Sequence, residues 1–268
     1  MTDSQPDANG VVSSTTPRLV IEIITLFPEI FASFLQTSLL GKAIASGLIA
    51  VECTNPRDFA PGRHRQVDDS PYGGGPGMIL RPEPLSAAID DVENRRGRAH
   101  RILLSPSGRL FDQKFAAGLA TTGRIMLICG RYEGVDERIS QLYADESLSI
   151  GDYVLAGGEV AACVIIEATA RLVPGVLGCE ESIVEESFSA GRLEFPQWTR
   201  PPMFRGLAVP EVLLSGNHAE VARWRRREAL RLSLTRRPDL LNRTPLTEEE
   251  RAMLGEFGVT DPSKGGRC

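Results

Sequence analysis

The chain has 268 residues, 42% of them hydrophobic and 24% charged, which is the composition of an ordinary soluble protein with one large domain or two modest ones. Its formal net charge of −5 argues against a protein that coats itself with nucleic acid, and its five cysteines, scattered singly, argue against a disulfide framework or a structural metal. No apolar run approaches the roughly 20 residues of a membrane span, and the polar N-terminus does not resemble a signal peptide, so we expect a cytoplasmic protein that does not bind membranes.

The predicted elements of the first two thirds of the chain alternate between strands and helices. Residues 1–17 are rich in Ser, Thr, Asp and Pro and are predicted to be a disordered tail. A strand at residues 19–26, a helix that opens at Pro28 and a strand at residues 48–53 follow. This alternation predicts an α/β fold with a mostly parallel sheet and helices on both faces. Further helices are predicted at residues 41–47, 82–92, 111–119 and 160–172, further strands at residues 101–104 and 125–129, and a short strand and turn at residues 148–155.

Residues 55–81 interrupt this pattern with a long segment that is rich in glycine and charge. Loops of this length in compact domains are usually functional or disordered. Because a disordered tract would seldom combine Phe59, Tyr72 and Met78 with such dense charge, we interpret the segment as a loop that faces a substrate.

Two glycine-interrupted loops follow predicted strands, at residues 130–138 and 156–159, and a turn at residues 105–108 follows another. Open α/β sheets bind ligands at the carboxyl ends of their strands, so these loops together predict a ligand pocket. Each glycine taken singly is explained as well by a tight turn. The chain contains neither GxxxxGK[ST] nor a strand-linked GxGxxG, so the pocket is not a familiar phosphate loop.

The last third of the chain is predicted to be a linker followed by a helical domain. Residues 179–200 are acidic and poor in apolar side chains, which predicts a linker that a partner surface would order. Residues 201–268 contain a predicted helix at residues 218–234 and another that begins at Thr247. Residues 197–243 hold ten arginines against four acidic residues, a balance of +6, which leaves −11 for the rest. This asymmetry predicts a face that binds a polyanion, although a solvated basic helix explains the charge equally well.

Six motifs resemble those of bacterial tRNA (guanine-N1)-methyltransferases, members of the knotted SPOUT class. In chain order they are PRDF (56–59), PYGGGPGM (71–78), GRYEGVDER (130–138), SIGDYVLAGGE (149–159), PGVLG (174–178) and LLSGNHAE (213–220). The resemblance implies that residues 18–178 form a methyltransferase domain that ends in a trefoil knot, followed by a small all-α domain that binds tRNA. It further implies a homodimer with shared active sites, in which the linker carboxylate of one subunit meets the cofactor pocket of the other.

The resemblance also implies S-adenosylmethionine as the cofactor, bound by the three loops described above. Magnesium is possible but is not indicated by the residues. The candidate cofactor-binding residues are Leu103, Leu104, Ser105, Pro106, Gly130, Tyr132, Glu133, Gly134, Ser149, Ile150, Gly151, Tyr153, Leu155, Gly157 and Gly158.

Methylation of guanine N1 requires a base that removes the N1 proton and a donor that meets the charge developing on the neighbouring carbonyl oxygen. Arg171 occupies the place that the family gives to the arginine that contacts the target guanine. The family base is an aspartate in a Glu-Asp-Ser pattern, where this chain has Glu185, Glu186 and Ser187. The match predicts Glu186 as the base, with Glu185 as the alternative.

The predicted substrate is the guanine immediately 3′ of the anticodon in tRNA. Two other functions fit parts of the pattern: a knotted ribose 2′-O-methyltransferase, which would share the cofactor loops, and an RNA-binding module with impaired catalysis, which the glutamate at 186 would permit. The candidate tRNA-binding residues are Asp68, Arg200, Ser215, Asn217, His218, Arg223, Arg225 and Arg226.

Overall fold

A computed structural model describes residues 16–178 and 186–257. The chain divides into two compact units, residues 1–178 and residues 179–268. Most of the predicted N-terminal tail, the first seven residues of the predicted linker, including Glu185, and the end of the predicted helical domain lie outside the described residues. Among the described residues, no helix is long and apolar enough to cross a membrane.

The first unit is built on a parallel sheet, as the alternating pattern predicts. Within the described residues the sheet has five strands: β1 (Leu19–Ile24), β2 (Ile49–Thr54), β5 (His100–Leu110), β6 (Arg124–Cys129) and β7 (Glu146–Ser149). Their order is β2-β1-β6-β5-β7, and every neighbouring pair is parallel. Two further strands, β3 (Asp68–Asp69) and β4 (Ile79–Leu80), form a separate antiparallel ribbon.

Helices cover both faces of this sheet because alternate strand residues point to opposite sides. Ile125 and Leu127 of β6 belong to one apolar cluster, and Met126 and Ile128 of the same strand belong to another. The first cluster is completed by α1 (Ser38–Ala45), α3 (Gln113–Ala120) and α5 (Glu159–Ala170), and the second by α2 (Pro82–Arg96) and α4 (Glu137–Leu142).

Three local predictions for the first unit are wrong. The strand predicted to end at Leu104 continues to Leu110, because residues 105–108 bulge out of the sheet and the pairing with β7 resumes at Arg109. The helix expected from Pro28 is two short 3₁₀ segments, Pro28–Phe31 and Phe34–Gln36. Helix α4 lies where the sequence predicts only a loop, because its six residues are too few for a periodic pattern.

The long glycine-rich loop is attached to the loop that follows β6. The backbone N–H of Glu133 donates to the carbonyl of Met78 over 3.0 Å, and that of Leu80 donates to the carbonyl of Gly134 over 3.0 Å. The β-carbon of any other residue at Gly77 would lie 2.4 Å from the side chain of Glu133. These contacts place the end of the predicted substrate-facing loop beside one of the predicted cofactor loops.

The second unit is mainly helical around a core of Leu230, Leu241, Leu246, Met253 and Leu254. The basic helix, His218–Arg236, is capped by Asn217, whose side-chain oxygen accepts a hydrogen bond from the N–H of Glu220 over 3.4 Å. Thr247 caps the start of the last helix with a capping box. The unit is not purely helical, since two short strands form an antiparallel ribbon. Its elements are α6 (His218–Arg236), α7 (Pro238–Arg243), α8 (Glu248–Glu256), β8 (Met203–Phe204) and β9 (Leu207–Ala208).

The described part of the predicted linker is bound to the second unit. Arg192 is 8% exposed, and its Nε lies 3.0 Å from Oε1 of Glu250. The backbone N–H of Leu193 donates to the hydroxyl of Ser233 over 2.9 Å, and the ring of Phe195 meets that of Trp224 edge to face. The expectation that residues 179–200 lack anchors of their own is therefore wrong for residues 192–195. Buried Arg192 and the ring of Phe195 attach this segment to the second unit, a role that aliphatic side chains more often have.

Candidate active site

A cavity of about 410 Å³ lies beside the bulge of β5 and the carboxyl ends of β6 and β7, where loops of a parallel sheet converge. Its walls come from residues 103–107, from the loop after β6 and from the loop after β7. All fifteen candidate cofactor-binding residues line it: Leu103, Leu104, Ser105, Pro106, Gly130, Tyr132, Glu133, Gly134, Ser149, Ile150, Gly151, Tyr153, Leu155, Gly157 and Gly158. Their role in binding a cofactor stays a prediction.

Two glycines in the walls are required by close packing rather than by turn geometry. A β-carbon at Gly157 would lie 2.3 Å from Nε of Arg131, and one at Gly158 would lie 2.8 Å from the α-carbon of Cys129. The N–H of Gly158 donates to the carbonyl of Gly130 over 2.9 Å, and Arg131 forms an isolated antiparallel bridge with Gly157. The interpretation of these glycines as tight turns alone is thus insufficient, because they let the two loops touch through their backbones.

The loop after β7 is shaped by local hydrogen bonds. The hydroxyl of Ser149 donates to the carbonyl of Gly151 over 3.2 Å and accepts from the N–H of Gly151 over the same distance. The hydroxyl of Tyr153 donates to the carbonyl of Ile150 over 3.0 Å. Gly151 has a φ of 147°, a conformation that side chains resist. These contacts turn the loop back over the cavity.

The bulge in β5 forms the opposite wall. The hydroxyls of Ser105 and Ser107 lie 2.9 Å apart, and the N–H of Ser107 donates to the hydroxyl of Ser105. A β-carbon at Gly108 would lie 2.5 Å from the backbone of Leu148, so glycine lets the strand return to the sheet there.

A buried carboxylate lies behind the cavity, at the first residue of α5. Glu159 is 1% exposed, its Oε1 accepts from the hydroxyl of Thr25 over 2.9 Å, and its Oε2 lies 2.8 Å from Nε of Arg131. Burial raises the pKa of the neighbouring Cys129 thiol well above its ordinary value, and the charge of Glu159 adds to this effect.

The sequence analysis did not identify all of the wall residues. Most of these residues adjoin predicted ones, and Arg131 follows Gly130 directly, so position in the loop was the available signal. Glu137 and Ser140 lie on α4, which the sequence pattern did not predict. The additional lining residues are Ser107, Arg131, Val135, Glu137, Ser140, Ser147, Leu148, Val154 and Ala161.

The two candidate catalytic residues lie outside this cavity wall. Arg171 is the C-cap of α5 in the first unit and is half-buried. Glu186 is half-buried in the second unit, where it lines a different cavity of about 350 Å³ together with Arg225 and Arg226. Each unit therefore contributes one of the two candidates.

The candidate tRNA-binding residues lie in both units. Asp68 is half-buried in β3, whereas Arg200, Ser215, Asn217 and His218 are exposed in the second unit. On the basic helix, Arg223 and Arg226 are exposed and form long, solvent-facing ion pairs with Glu256 and Glu249 of α8. Arg225 packs with its guanidinium 4.8 Å from the ring centroid of Phe195. Arg223 and Arg226 are thus exposed enough to meet phosphates, and their acidic neighbours reduce the local charge.

Comparison with known proteins gives a consistent result along the chain. A model of the family described as tRNA (Guanine-1)-methyltransferase TrmD matches residues 19–243. The tRNA (guanine-N(1)-)-methyltransferase of Dehalococcoides mccartyi (strain CBDB1) is 50% identical over 246 residues, which cover 91% of this chain and 99% of that protein. The protein of the same name from Anaeromyxobacter sp. (strain Fw109-5) is 54% identical over 235 residues, covering 87% and 94%. The one from Photorhabdus laumondii is 49% identical over 238 residues, covering 88% and 95%.

Proposed function

The chain belongs to the tRNA (guanine-1)-methyltransferase family and is a tRNA (guanine-N1)-methyltransferase, and we propose that it methylates N1 of the guanine immediately 3′ of the anticodon with S-adenosylmethionine. The observation that carries the proposal is the single cavity that all fifteen predicted cofactor residues line. Since tRNA is the substrate, we place the reaction in the cytoplasm. We also propose that the segment around the cavity is knotted as in the family.

The cavity suits a ligand of this kind in size and in chemistry. Its volume of about 410 Å³ lies within the range of about 300–1,000 Å³ that is usual for small-molecule sites. Leu103, Leu104 and Ile150 offer apolar walls for a purine ring, and the glycines at 130, 157 and 158 let a ligand approach the backbone closely. S-adenosylmethionine, when bound, supplies an electrophilic methyl group.

The chain's own residues supply the acid–base chemistry. Guanine N1 carries a proton at neutral pH, and the carboxylate of Glu186 accepts it as the nitrogen becomes nucleophilic. The guanidinium of Arg171 donates hydrogen bonds to the guanine carbonyl oxygen, where negative charge develops. Glu186 is one methylene longer than the family's aspartate, so the backbone that carries it must lie slightly further from the guanine for the carboxylate to reach the N1 proton.

We propose that the active site is completed by a second copy of the chain. Arg171 lies 12 residues after Glu159 on α5, and a helix of that length spans about 18 Å, far more than an arginine side chain. Gly158 and Ala161, at the start of the same helix, line the cavity. We therefore propose that Arg171 of the partner subunit approaches the cavity more readily than Arg171 of the same chain, and we assign the same role to the partner's Glu186 because the family resemblance implies it.

Exposed apolar side chains near the cavity support this assembly. Val154 is 87% exposed at the cavity rim, and Val160 and Val164, one turn apart on α5, are also exposed. An apolar stripe that runs from a binding pocket along a helix is typical of a subunit interface. In a symmetric dimer each subunit would bury its own stripe against the other subunit, and two equivalent sites would form.

Methyl transfer to unmodified tRNA transcripts tests the proposed function. Transcripts that carry guanine 3′ of the anticodon are expected to accept one methyl group from radiolabelled S-adenosylmethionine, and transcripts with adenine there are expected to accept none. Mass spectrometry of the nucleosides then locates the methyl group. A methyl on the ribose 2′-oxygen would indicate the ribose methyltransferase, and tRNA binding without transfer would indicate an impaired binding module.

A further inference from the structure

Arg131 and Glu159 form a buried ion pair away from the residues assigned to the guanine. Neither residue is needed to accept the N1 proton or to meet the guanine oxygen. Glu159 is the first residue of α5, and Arg131 is the second residue after β6. Their charged atoms, Oε2 and Nε, lie 2.8 Å apart. The pair therefore connects the loop after β6 to the start of α5, and both frame the cavity.

Arg131 contacts both loops of the cavity wall. It belongs to the loop after β6, its Nη1 donates to the carbonyl of Ala156 over 3.4 Å, and its backbone pairs with Gly157. The guanidinium of Arg131 lies over the ring of Phe27, 4.4 Å from the ring centroid. This packing restricts the orientation of the guanidinium. Gly157 has no side chain where Nε of Arg131 and the carboxylate of Glu159 fill the space.

Glu159 is held from two directions as well. The hydroxyl of Thr25, which follows β1, donates to Oε1 of Glu159 over 2.9 Å. Nε of Arg131 lies 2.8 Å from Oε2. The carboxylate is thus located by residues that follow β1 and β6, both central strands of the sheet. A rigid anchor of this kind transmits the position of the sheet to the start of α5 and to the loop before it.

Stability alone does not account for the pair. A buried ion pair repays its desolvation only when it is well aligned and fully hydrogen-bonded. Here, within the described residues, Nε of Arg131 and Oε2 of Glu159 are close but have no aligned hydrogen bond. An apolar pair of similar volume would serve packing at least as well.

We propose that Arg131 and Glu159 are positioning residues that hold residues 130–134 and 156–158 at the separation that the methyl donor requires. The inference rests on the proposed function, because it assigns the cavity to S-adenosylmethionine. The pair acts through the positions of Gly130, Gly157 and Gly158, which line the cavity. It sets how tightly the donor is bound and leaves the acceptance of the N1 proton to other residues.

Calorimetry with S-adenosylmethionine on the full-length protein tests the proposal. Arg131→Ala and Glu159→Gln are each expected to weaken binding by about tenfold or more, because misplacement of a site by about an ångström has effects of this size. Arg131→Lys keeps the charge but loses the planar stack on Phe27, so its binding is expected to fall between wild type and Arg131→Ala. In steady-state assays the KM for S-adenosylmethionine should rise by a similar factor, while the KM for tRNA changes by less than about twofold and kcat falls by less than about threefold.

Arg124→Ala is the matched control. Arg124 begins the same strand, β6, and its Nη1 lies 2.7 Å from Oε1 of Glu22, which is also 1% exposed. Its loss likewise weakens a buried ion pair, but near the amino end of β6, whereas the cavity lies at the carboxyl end of that strand. We expect Arg124→Ala to lower the melting temperature and to leave donor affinity within about twofold of wild type.

Two results would overturn the proposal. If Arg131→Ala and Glu159→Gln lower the melting temperature as Arg124→Ala does but bind the donor like wild type, the pair is structural only. If kcat falls and the KM for S-adenosylmethionine is constant, the pair acts on chemistry instead. Should Arg131→Ala fail to fold, Arg131→Lys and Glu159→Gln decide between these outcomes. Failure of the wild-type protein to bind S-adenosylmethionine would be a different result, because it would refute the proposed function itself.

Discussion

Glu159 and Arg171 mark the two ends of one helix, with the buried carboxylate of Glu159 beside the cavity and Arg171 at the C-cap about 18 Å away. The arginine assigned to the guanine and the pocket assigned to the methyl donor are therefore separated within one chain. This separation is the reason for expecting an active site that two subunits share.

Mixing two inactive variants tests the shared site. One chain carries Ser105→Trp, which fills the cavity from its exposed wall, and the other carries Arg171→Ala. If Arg171 acts on the partner's cavity, a heterodimer contains one intact site, and an equimolar mixture should regain about a quarter of wild-type activity by statistics. Neither homodimer should be active. A proven heterodimer without activity would assign Arg171 to the cavity of its own chain.

Arg171→Ala and Glu186→Gln are expected to reduce methyl transfer by about a hundredfold or more while donor affinity remains close to wild type. The physical reason is that both side chains act on the guanine. Single-turnover rates and calorimetry with S-adenosylmethionine measure the two quantities separately. Equal loss of donor binding would contradict the assigned roles, whereas an effect confined to Glu186→Gln would point to another oxyanion donor.

Glu186→Asp restores the side chain that the family uses as base. If the surrounding segment has adapted to glutamate, the shortened side chain should lower kcat by about tenfold or more, because a carboxylate displaced by about an ångström loses much of its effect. Higher activity in the variant would show that the glutamate is a poor fit.

Neutralising Arg223 and Arg226 together should weaken tRNA binding and flatten its salt dependence. Removing one arginine–phosphate interaction reduces the steepness of log K against log salt by about 1, so we expect a decrease of about 1 to 2. Arg231→Gln is a suitable control, because Arg231 lies on the same helix and pairs with Glu228 one turn earlier. An unchanged slope would identify this helix face as merely solvated.

The thiols of the first unit should resist alkylation and weaken the fold at high pH. Burial, with a smaller effect of Glu52, raises the pKa of Cys53 to about 11, and burial also raises the pKa of Cys129 and Cys163. At pH 8 iodoacetamide should therefore label these three residues slowly until the chain is unfolded, as peptide mapping can show.

Unfolded thiols ionise at their ordinary pKa, so unfolding releases protons at high pH, and the free energy of unfolding should fall as pH rises towards 11. Cys53→Ser should make that fall shallower.

Some features followed from local sequence alone. Runs such as residues 125–129 identified buried strands because both faces of a parallel sheet are apolar, and Asn217 and Thr247 identified helix starts because their side chains can accept from free backbone N–H groups. The glycine loops identified the cavity because ligands bind at the carboxyl ends of parallel strands. Short elements such as α4 and the ribbon of β8 and β9 did not follow, since six or fewer residues carry too little pattern.

The sequence by itself determined the alternating fold, the family and fifteen of the residues around the cavity, because these depend on periodicity and on motifs that are contiguous in the chain. Only the tertiary structure decided which glycines serve close contact, that Arg192 anchors the end of the predicted linker, and that Arg131 meets Glu159 behind the cavity. Those facts join residues that are distant in sequence. They depend on how strands and loops are packed in space, which no local pattern of side chains records.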